Sequence, residues 1–209
     1  MVFQKNLVMP GFLELYCGPM KSGKSRELIN RIDGISYRND ADFIFFKPRT
    51  DRRNENVYSR FGDLSYDCNF IGGNSPENIL DYIGEKHKII AIDEIMLFDN
   101  NIVSIVKKLL KNDKNVIVAG LDLDFRGEPF GNFEGDMVMP ELLCLANYVE
   151  KLSGICEYEG CNGMASRTQR LINDQPASYM DPLITIEGED KDETYECRCL
   201  EHHFVPESP

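Results

Sequence analysis

The chain has 209 residues, 42% of them hydrophobic and 28% charged, enough for one substantial core or a core with a small appendage, and unlike a disordered polymer. Its formal charge of −12 excludes a general nucleic-acid surface, which needs clustered Lys and Arg, so any anionic ligand has to be gripped locally. No apolar run approaches the roughly 18 residues of a membrane span, and the opening MVFQKNLVMPGF lacks the apolar centre of a secretory leader, so a cytoplasmic or equally reducing location is expected, with no membrane partner.

The first apolar run, FLELYC (12–17), reads as a strand, and RELINRIDGI behind it as a helix. DFIFFKP (42–48), KIIAIDE (88–94) and NVIVAGLD (115–122) are three more runs rich in Ile, Val and Phe without strict alternation, as expected of strands buried on both faces of a parallel sheet. Between them, SPENILDYIGE (75–85) carries a Ser cap signal, a Pro in the first turn and early acids, which predicts a helix. In NNIVSIVKKLLKND the apolar Ile102, Val103, Ile105, Val106, Leu109 and Leu110 share a stripe opposite Lys107, Lys108 and Lys111, a second helix. This alternation predicts an α/β fold. After about residue 148 the pattern changes to short strands around two Cys/His clusters, and EGEDKDE (187–193) reads as a solvated loop. The expected division is therefore 1–148 and 149–209.

Gly18 to Ser25, GPMKSGKS, fits G-x-x-x-x-G-K-[ST] between a strand and a helix. Glycines let successive backbone N–H groups turn inward, and the helix adds the positive end of its dipole, so the turn becomes an anion cradle built from Gly18, Pro19, Met20, Lys21, Ser22, Gly23, Lys24 and Ser25. Lys24 is expected to reach the β- and γ-phosphates and Ser25 to ligate Mg²⁺, while Lys21 sits at a free position facing solvent. In IIAIDEIMLFD, Asp93 ends a buried strand, where α/β sheets bind ligands, and is expected to hold Mg²⁺ through water. Glu94 either accepts a proton from an attacking hydroxyl or is a salt-bridged strand-end residue.

In chain order, GPMKSGKS, IDEIMLF, GLDLDFRGEPFG, MPELLCLA, ASRTQRL and YECRCLEHH resemble the type II thymidine kinases over about residues 11 to 206. GLDLDFRGEPFG is the most specific of these, because a generic P-loop ATPase has no reason to carry it. The resemblance implies a P-loop NTPase-type parallel sheet flanked by helices, with a small C-terminal zinc-binding β domain whose loop closes over a nucleoside. It also implies transfer of the γ-phosphoryl of ATP to the 5′-hydroxyl of thymidine, with deoxyuridine as a further candidate substrate, by a homotetramer.

By the same resemblance Glu94 matches the catalytic base, and Asp51 and Arg53 match a D-x-R near the phosphates. Phe125 and Phe130 match aromatics at the nucleoside site, although taken alone they read as core. Met20, Leu121 and Thr168 match residues near the thymine ring, Glu187 falls at a glycine position of the covering loop, and Tyr195 matches the tyrosine packed over the base. Arg126 and Arg167 are explained as well by surface ion pairs.

Cys156 and Cys161 enclose four residues, and Cys199 and His202 enclose two, two close pairs that fit a tetrahedral structural zinc site. The resemblance selects Cys199 and His202 for the second pair, with Cys197 and His203 near enough to substitute. The chain departs from the family where D-E-A-Q-F becomes Asp93, Glu94, Ile95, Met96, Leu97, in the inserted NFEGDMV (132–138), and in the covering loop. Two other readings stay open: a P-loop ATPase whose zinc ribbon is a binding module, and a weakened nucleoside-kinase paralogue.

Overall fold

The computed structural model describes residues 7–49, 56–58, 65–131, 137–184 and 192–208. Asp51, Arg53 and Glu187 lie outside the described residues, as does most of the 132–138 insertion. The elements begin with β1 (Phe12–Cys17), α1 (Lys24–Asn39), β2 (Asp42–Pro48), β3 (Asn56–Tyr58), β4 (Ser65–Asp67) and β5 (Asn69–Ile71). There follow α2 (Ile79–Tyr82), β6 (His87–Ile92), α3 (Asn101–Lys111), β7 (Asn115–Gly120) and α4 (Val138–Leu145). The chain continues through β8 (Tyr148–Lys151), β9 (Gly154–Ile155), β10 (Met164–Ala165), β11 (Arg167–Ile172), β12 (Gln175–Pro176) and β13 (Glu193–Arg198).

Six strands form one sheet in the order β5, β2, β6, β7, β1, β8, and every pairing within it is parallel. Strand side chains alternate between faces, and both faces are covered. Leu13, Leu15, Phe46, Ile90, Ile92, Val116 and Val118 pack on one side with Ile102, Val106 and Leu109 of α3 and Leu142 of α4. Tyr16, Phe45, Ile89, Ala91, Ile117 and Ala119 pack on the other with Leu28, Ile29, Ile32 and Ile35 of α1. This two-sided burial is why the strand sequences read as unbroken apolar runs.

The α1 face also contains Glu14, fully buried, whose carboxylate takes a two-point contact from Arg31: Nε to Oε2 at 2.6 Å and a terminal nitrogen to Oε1 at 2.8 Å. Asn115 Nδ2 donates to the same Oε1 at 3.0 Å, and its Oδ1 accepts the Met9 N–H at 2.8 Å. A charged pair inside an apolar layer is tolerated only when its lone pairs and protons are satisfied, as they are here.

One helix differs from the sequence pattern. Over 75–85 a 3-10 turn (Pro76–Asn78) leads into a single α turn, because Ile83 is extended with Gly84 behind it. Helix α4 has Pro140 in its first turn, where no intrahelical N–H is needed. The expected division at 148 falls within β8, which pairs with β1 in the large sheet. Beyond it, β9 and β10 form a hairpin-like pair, and β12, β11 and β13 a three-stranded antiparallel sheet. Among the described residues, no helix is long and apolar enough to cross a membrane.

Candidate active site and metal centre

The loop after β1 turns at Gly18, with φ +139°. A Cβ there would lie 2.3 Å from the Leu152 carbonyl oxygen, so only glycine lets β1 and the segment after β8 approach this closely. Gly18→Ala is expected to destabilise the chain by more than about 1 kcal/mol, read as a lower thermal midpoint; an unchanged midpoint contradicts the close approach. Gly23, at φ +90°, precedes the first turn of α1. Its carbonyl takes the Glu27 N–H at 3.0 Å, and the N–H groups of a helix's first turn have no intrahelical acceptor, which suits an anion there.

Lys24 is buried, and its ammonium donates to the Pro19 carbonyl at 2.7 Å. Burial pulls its pKa down, while the nearby carboxylates of Glu94, Asp93 and Asp122 act to keep it charged. Ser25 Oγ donates to Asp93 Oδ2 at 2.9 Å. Strand parity explains this meeting: Ile89 and Ala91 of β6 face α1, so Asp93, two residues further, faces its first turn. Burial and then the Glu94 charge push the Asp93 carboxyl up to about 6, opposed by Lys47 and the Ser25 hydrogen bond. A buried carboxylate held on a hydroxyl at a helix N-terminus, in an otherwise cationic phosphate loop, is a donor set that suits Mg²⁺.

Glu94, half-buried, leaves the strand in a left-handed conformation, φ 50° and ψ 41°. Such a backbone is uncommon for a side chain of this size and is found where structure outside the residue enforces it. It breaks the strand's alternation, so Glu94 acts on both Lys24 and Asp93 electrostatically.

Of the residues matched to the nucleoside site, Thr168 lies on β11, Tyr195 on the neighbouring β13, and Met20 and Phe125 against them, while Phe130 and Leu121 pack with the main core. Thr168 Oγ1 accepts the Met20 N–H at 3.0 Å, tying β11 to the phosphate loop. Arg170, 1% exposed, donates to the Pro182 carbonyl at 2.7 Å and to Glu193 Oε2 at 3.2 Å, and lies 5.3 Å from the Phe125 ring centre. The Tyr195 hydroxyl donates to the same Glu193 carboxylate, and Tyr195 sits opposite Arg170 in the β11 and β13 register. Phe125 and Phe130 are both buried; Phe130 belongs to the main core, while Arg126 also stacks on Phe125 at 5.2 Å and on Tyr179 at 5.0 Å. Leu121 is half-buried, its N–H on Met96 Sδ at 3.4 Å. Arg167 donates to Ser166 at 3.1 Å, to both its carbonyl and its hydroxyl.

Lys21 faces solvent, as expected, and is also paired. Its ammonium meets both carboxylate oxygens of Glu157, at 2.7 and 3.0 Å. The spacing could not reveal this partner, which lies far along the chain. Sequence reasoning also missed Arg170, Asp122 and Asp124. Asp124 Oδ1 accepts the N–H groups of Arg126 and Glu128 and so shapes the turn between Phe125 and Phe130. Asp122 is buried, with Oδ2 on Lys151 at 2.6 Å. The only signal for the two acids was their repetition in GLDLDF, beside a strand end.

In the C-terminal cluster Cys156, Cys161, Cys199 and His202 present one donor atom each, all within 4.8 Å of one another. His202 Nδ1 lies 3.2 Å from Cys199 Sγ and 3.8 Å from Cys156 Sγ, and Tyr158 stacks on its ring at 4.2 Å. Burial raises the Cys156 thiol, but the backbone N–H groups of Cys199 and Tyr158, with His202, outweigh it and pull the thiol down to about 6, favouring the thiolate a metal requires. Three thiols and one imidazole at these separations fit a closed tetrahedral zinc site. The alternatives are engaged elsewhere: Cys197 Sγ contacts the Met20 carbonyl at 2.8 Å, and His203 Nε2 the Phe125 carbonyl at 2.9 Å. Cys161→Ser is expected to remove one zinc per chain by metal analysis; a well-folded purified protein without zinc contradicts the assignment.

Two solved structures are similar in outline. The flagellar accessory protein FlaH from Methanocaldococcus jannaschii is 12% identical over 73% of this chain and 75% of its own, with TM-score 0.45. The cytoplasmic domain of the Thermomonospora curvata Type VII secretion ATPase EccC is 12% identical over 91% of this chain and 23% of its own, with TM-score 0.42. The family model described as thymidine kinase matches residues 11–203. With a match over nearly its whole length, the chain belongs to the thymidine kinase family.

Proposed function

We propose that the chain transfers the γ-phosphoryl group of ATP to the 5′-hydroxyl of thymidine, giving dTMP and ADP. The observation that carries this reading is the meeting of Lys24, Ser25, Asp93 and Glu94 where the phosphate loop and the end of β6 converge. Phosphoryl transfer asks a protein mainly for positioning and charge neutralisation. The inward N–H groups of the loop hold the phosphates, and Lys24 exchanges the Pro19 carbonyl for a phosphate oxygen. Ser25 and Asp93 are the residues that would hold Mg²⁺, which when bound offsets charge on the β- and γ-phosphate oxygens. Glu94 takes the proton of the nucleoside hydroxyl, a poor nucleophile at neutral pH.

Residues from about 149 onward serve in this reading as a zinc-clipped unit. Thr168 and Tyr195 present its nucleoside face beside Met20 and Leu121, with Phe125 and Phe130 supporting that face from the core. Asp51 and Arg53 near the phosphates, Glu187 in the covering loop, a homotetrameric assembly and a cytoplasmic location follow from the family resemblance and are part of the same proposal.

ADP release measured with a panel of deoxynucleosides tests the reading. Turnover that depends on thymidine, with deoxyuridine next, is the expected result. Turnover stimulated by DNA instead favours an ATPase with a binding module, and no turnover with any nucleoside favours a paralogue that only binds.

A further inference from the structure

The crest of the phosphate loop is held mainly from outside. Its own turn closes with one long backbone bond, Ser22 N–H to the Pro19 carbonyl at 3.4 Å, and Lys21 at its tip is left-handed, with φ 61°. A lysine keeps that conformation only where neighbouring groups enforce it. Three groups from the C-terminal part reach the two residues at the tip. Thr168 Oγ1 takes the Met20 N–H at 3.0 Å, Cys197 Sγ contacts the Met20 carbonyl at 2.8 Å, and the Glu157 carboxylate grips the Lys21 ammonium at 2.7 and 3.0 Å.

Glu157 links these contacts. Its Oε2 also accepts the Cys197 N–H at 2.6 Å, and its own N–H donates to the Cys197 carbonyl at 2.8 Å. One carboxylate therefore ties the loop tip to the strand that carries Cys197, β13, which also bears Tyr195.

We propose that Glu157 is a positioning residue for the donor nucleotide: by fixing Lys21 and the Cys197 amide it holds the phosphate loop in its binding shape. The proposal rests on the kinase reading above, since it concerns how the same loop takes ATP. It makes a sign prediction. If Lys21 were instead a phosphate ligand withheld by Glu157, releasing it would tighten nucleotide binding.

The test is titration calorimetry with ADP and Mg²⁺ on the full chain and on Glu157→Gln, Glu157→Ala, Lys21→Ala and the Lys21→Ala/Glu157→Ala double variant, with zinc content and steady-state kinetics measured alongside. Glu157→Gln, which loses the ion pair but keeps an acceptor for the Cys197 amide, is expected to weaken ADP binding about two- to fivefold, as suits a partly exposed pair. Glu157→Ala is expected to weaken it about tenfold.

The Michaelis constant for ATP should rise in step while kcat stays within about twofold, and zinc should remain at one per chain. The double variant should bind no more weakly than Glu157→Ala alone, because the two side chains act as a unit. Unchanged or tighter ADP binding by Glu157→Gln, additive losses in the double variant, or a loss confined to variants that have also shed zinc overturns the proposal. Failure of the unsubstituted chain to bind ADP overturns the kinase reading itself, and the proposal with it.

Discussion

Glu94→Gln is expected to lower turnover by about a hundredfold or more while leaving ATP affinity nearly unchanged. The side chain lies at the end of β6 rather than on the phosphate loop, so its exchange removes no donor to the phosphates. The amide keeps the volume and the backbone preference but cannot accept a proton, and general-base catalysis contributes roughly 10² to 10⁴ in rate. Losing the charge also leaves Lys24 with two nearby carboxylates, Asp93 and Asp122, so the ammonium retains counter-charge. The expected signature is a fall in kcat, with the ATP Michaelis constant within a few-fold of its original value. Unchanged turnover in a folded Glu94→Gln chain removes this residue from the role of base.

Arg31→Met is expected to be the most destabilising substitution far from the site, costing about 3 to 5 kcal/mol, because it strands the fully buried Glu14 carboxylate with Asn115 as its remaining side-chain donor among the described residues. Replacing both charges, as in Glu14→Leu with Arg31→Met, is expected to recover a good part of that loss, since an isolated buried charge costs more than its absence. Denaturant midpoints at a constant slope measure both effects. A loss under about 1 kcal/mol for Arg31→Met means that Glu14 is reached by water or neutralised, and that this pair does not organise the α1 face of the sheet.

The large sheet was legible because its strands are buried on both faces, which leaves a signal in short windows: FLELYC, DFIFFKP, KIIAIDE and NVIVAGLD all form strands within two residues of their apolar runs. The phosphate loop was legible for a different reason, since the glycines that take positive φ, Gly18 and Gly23, and the lysine after them fall within one short stretch of sequence. Glu14 in the first strand gave no hint of Arg31, because a pair seventeen residues apart joins a strand to a helix with no fixed spacing. The Glu157 partner of Lys21 was invisible for the same reason.

In the metal cluster, spacing alone left Cys197 and His203 as alternatives. They are set apart by backbone contacts, Cys197 turning toward Met20 and His203 toward Phe125. The helix expected over 75–85 shrank to little more than one turn, because cap signals and early acids mark where a helix can begin but carry little information about where Ile83 becomes extended. Met96, where the family pattern has Gln, is buried in the core with its sulfur on the Leu121 N–H. That thioether is a weaker acceptor than an amide oxygen, beside a residue matched to the thymine ring.

The central claim is that a phosphoryl group passes directly from ATP to a nucleoside hydroxyl. Incubation with γ-labelled ATP and thymidine, followed by separation of the products, tests it most directly. The account predicts label in the 5′-phosphate of dTMP, in a one-to-one ratio with ADP and formed about a hundredfold or more slowly by Glu94→Gln. Label recovered as inorganic phosphate, with thymidine left unmodified, contradicts it.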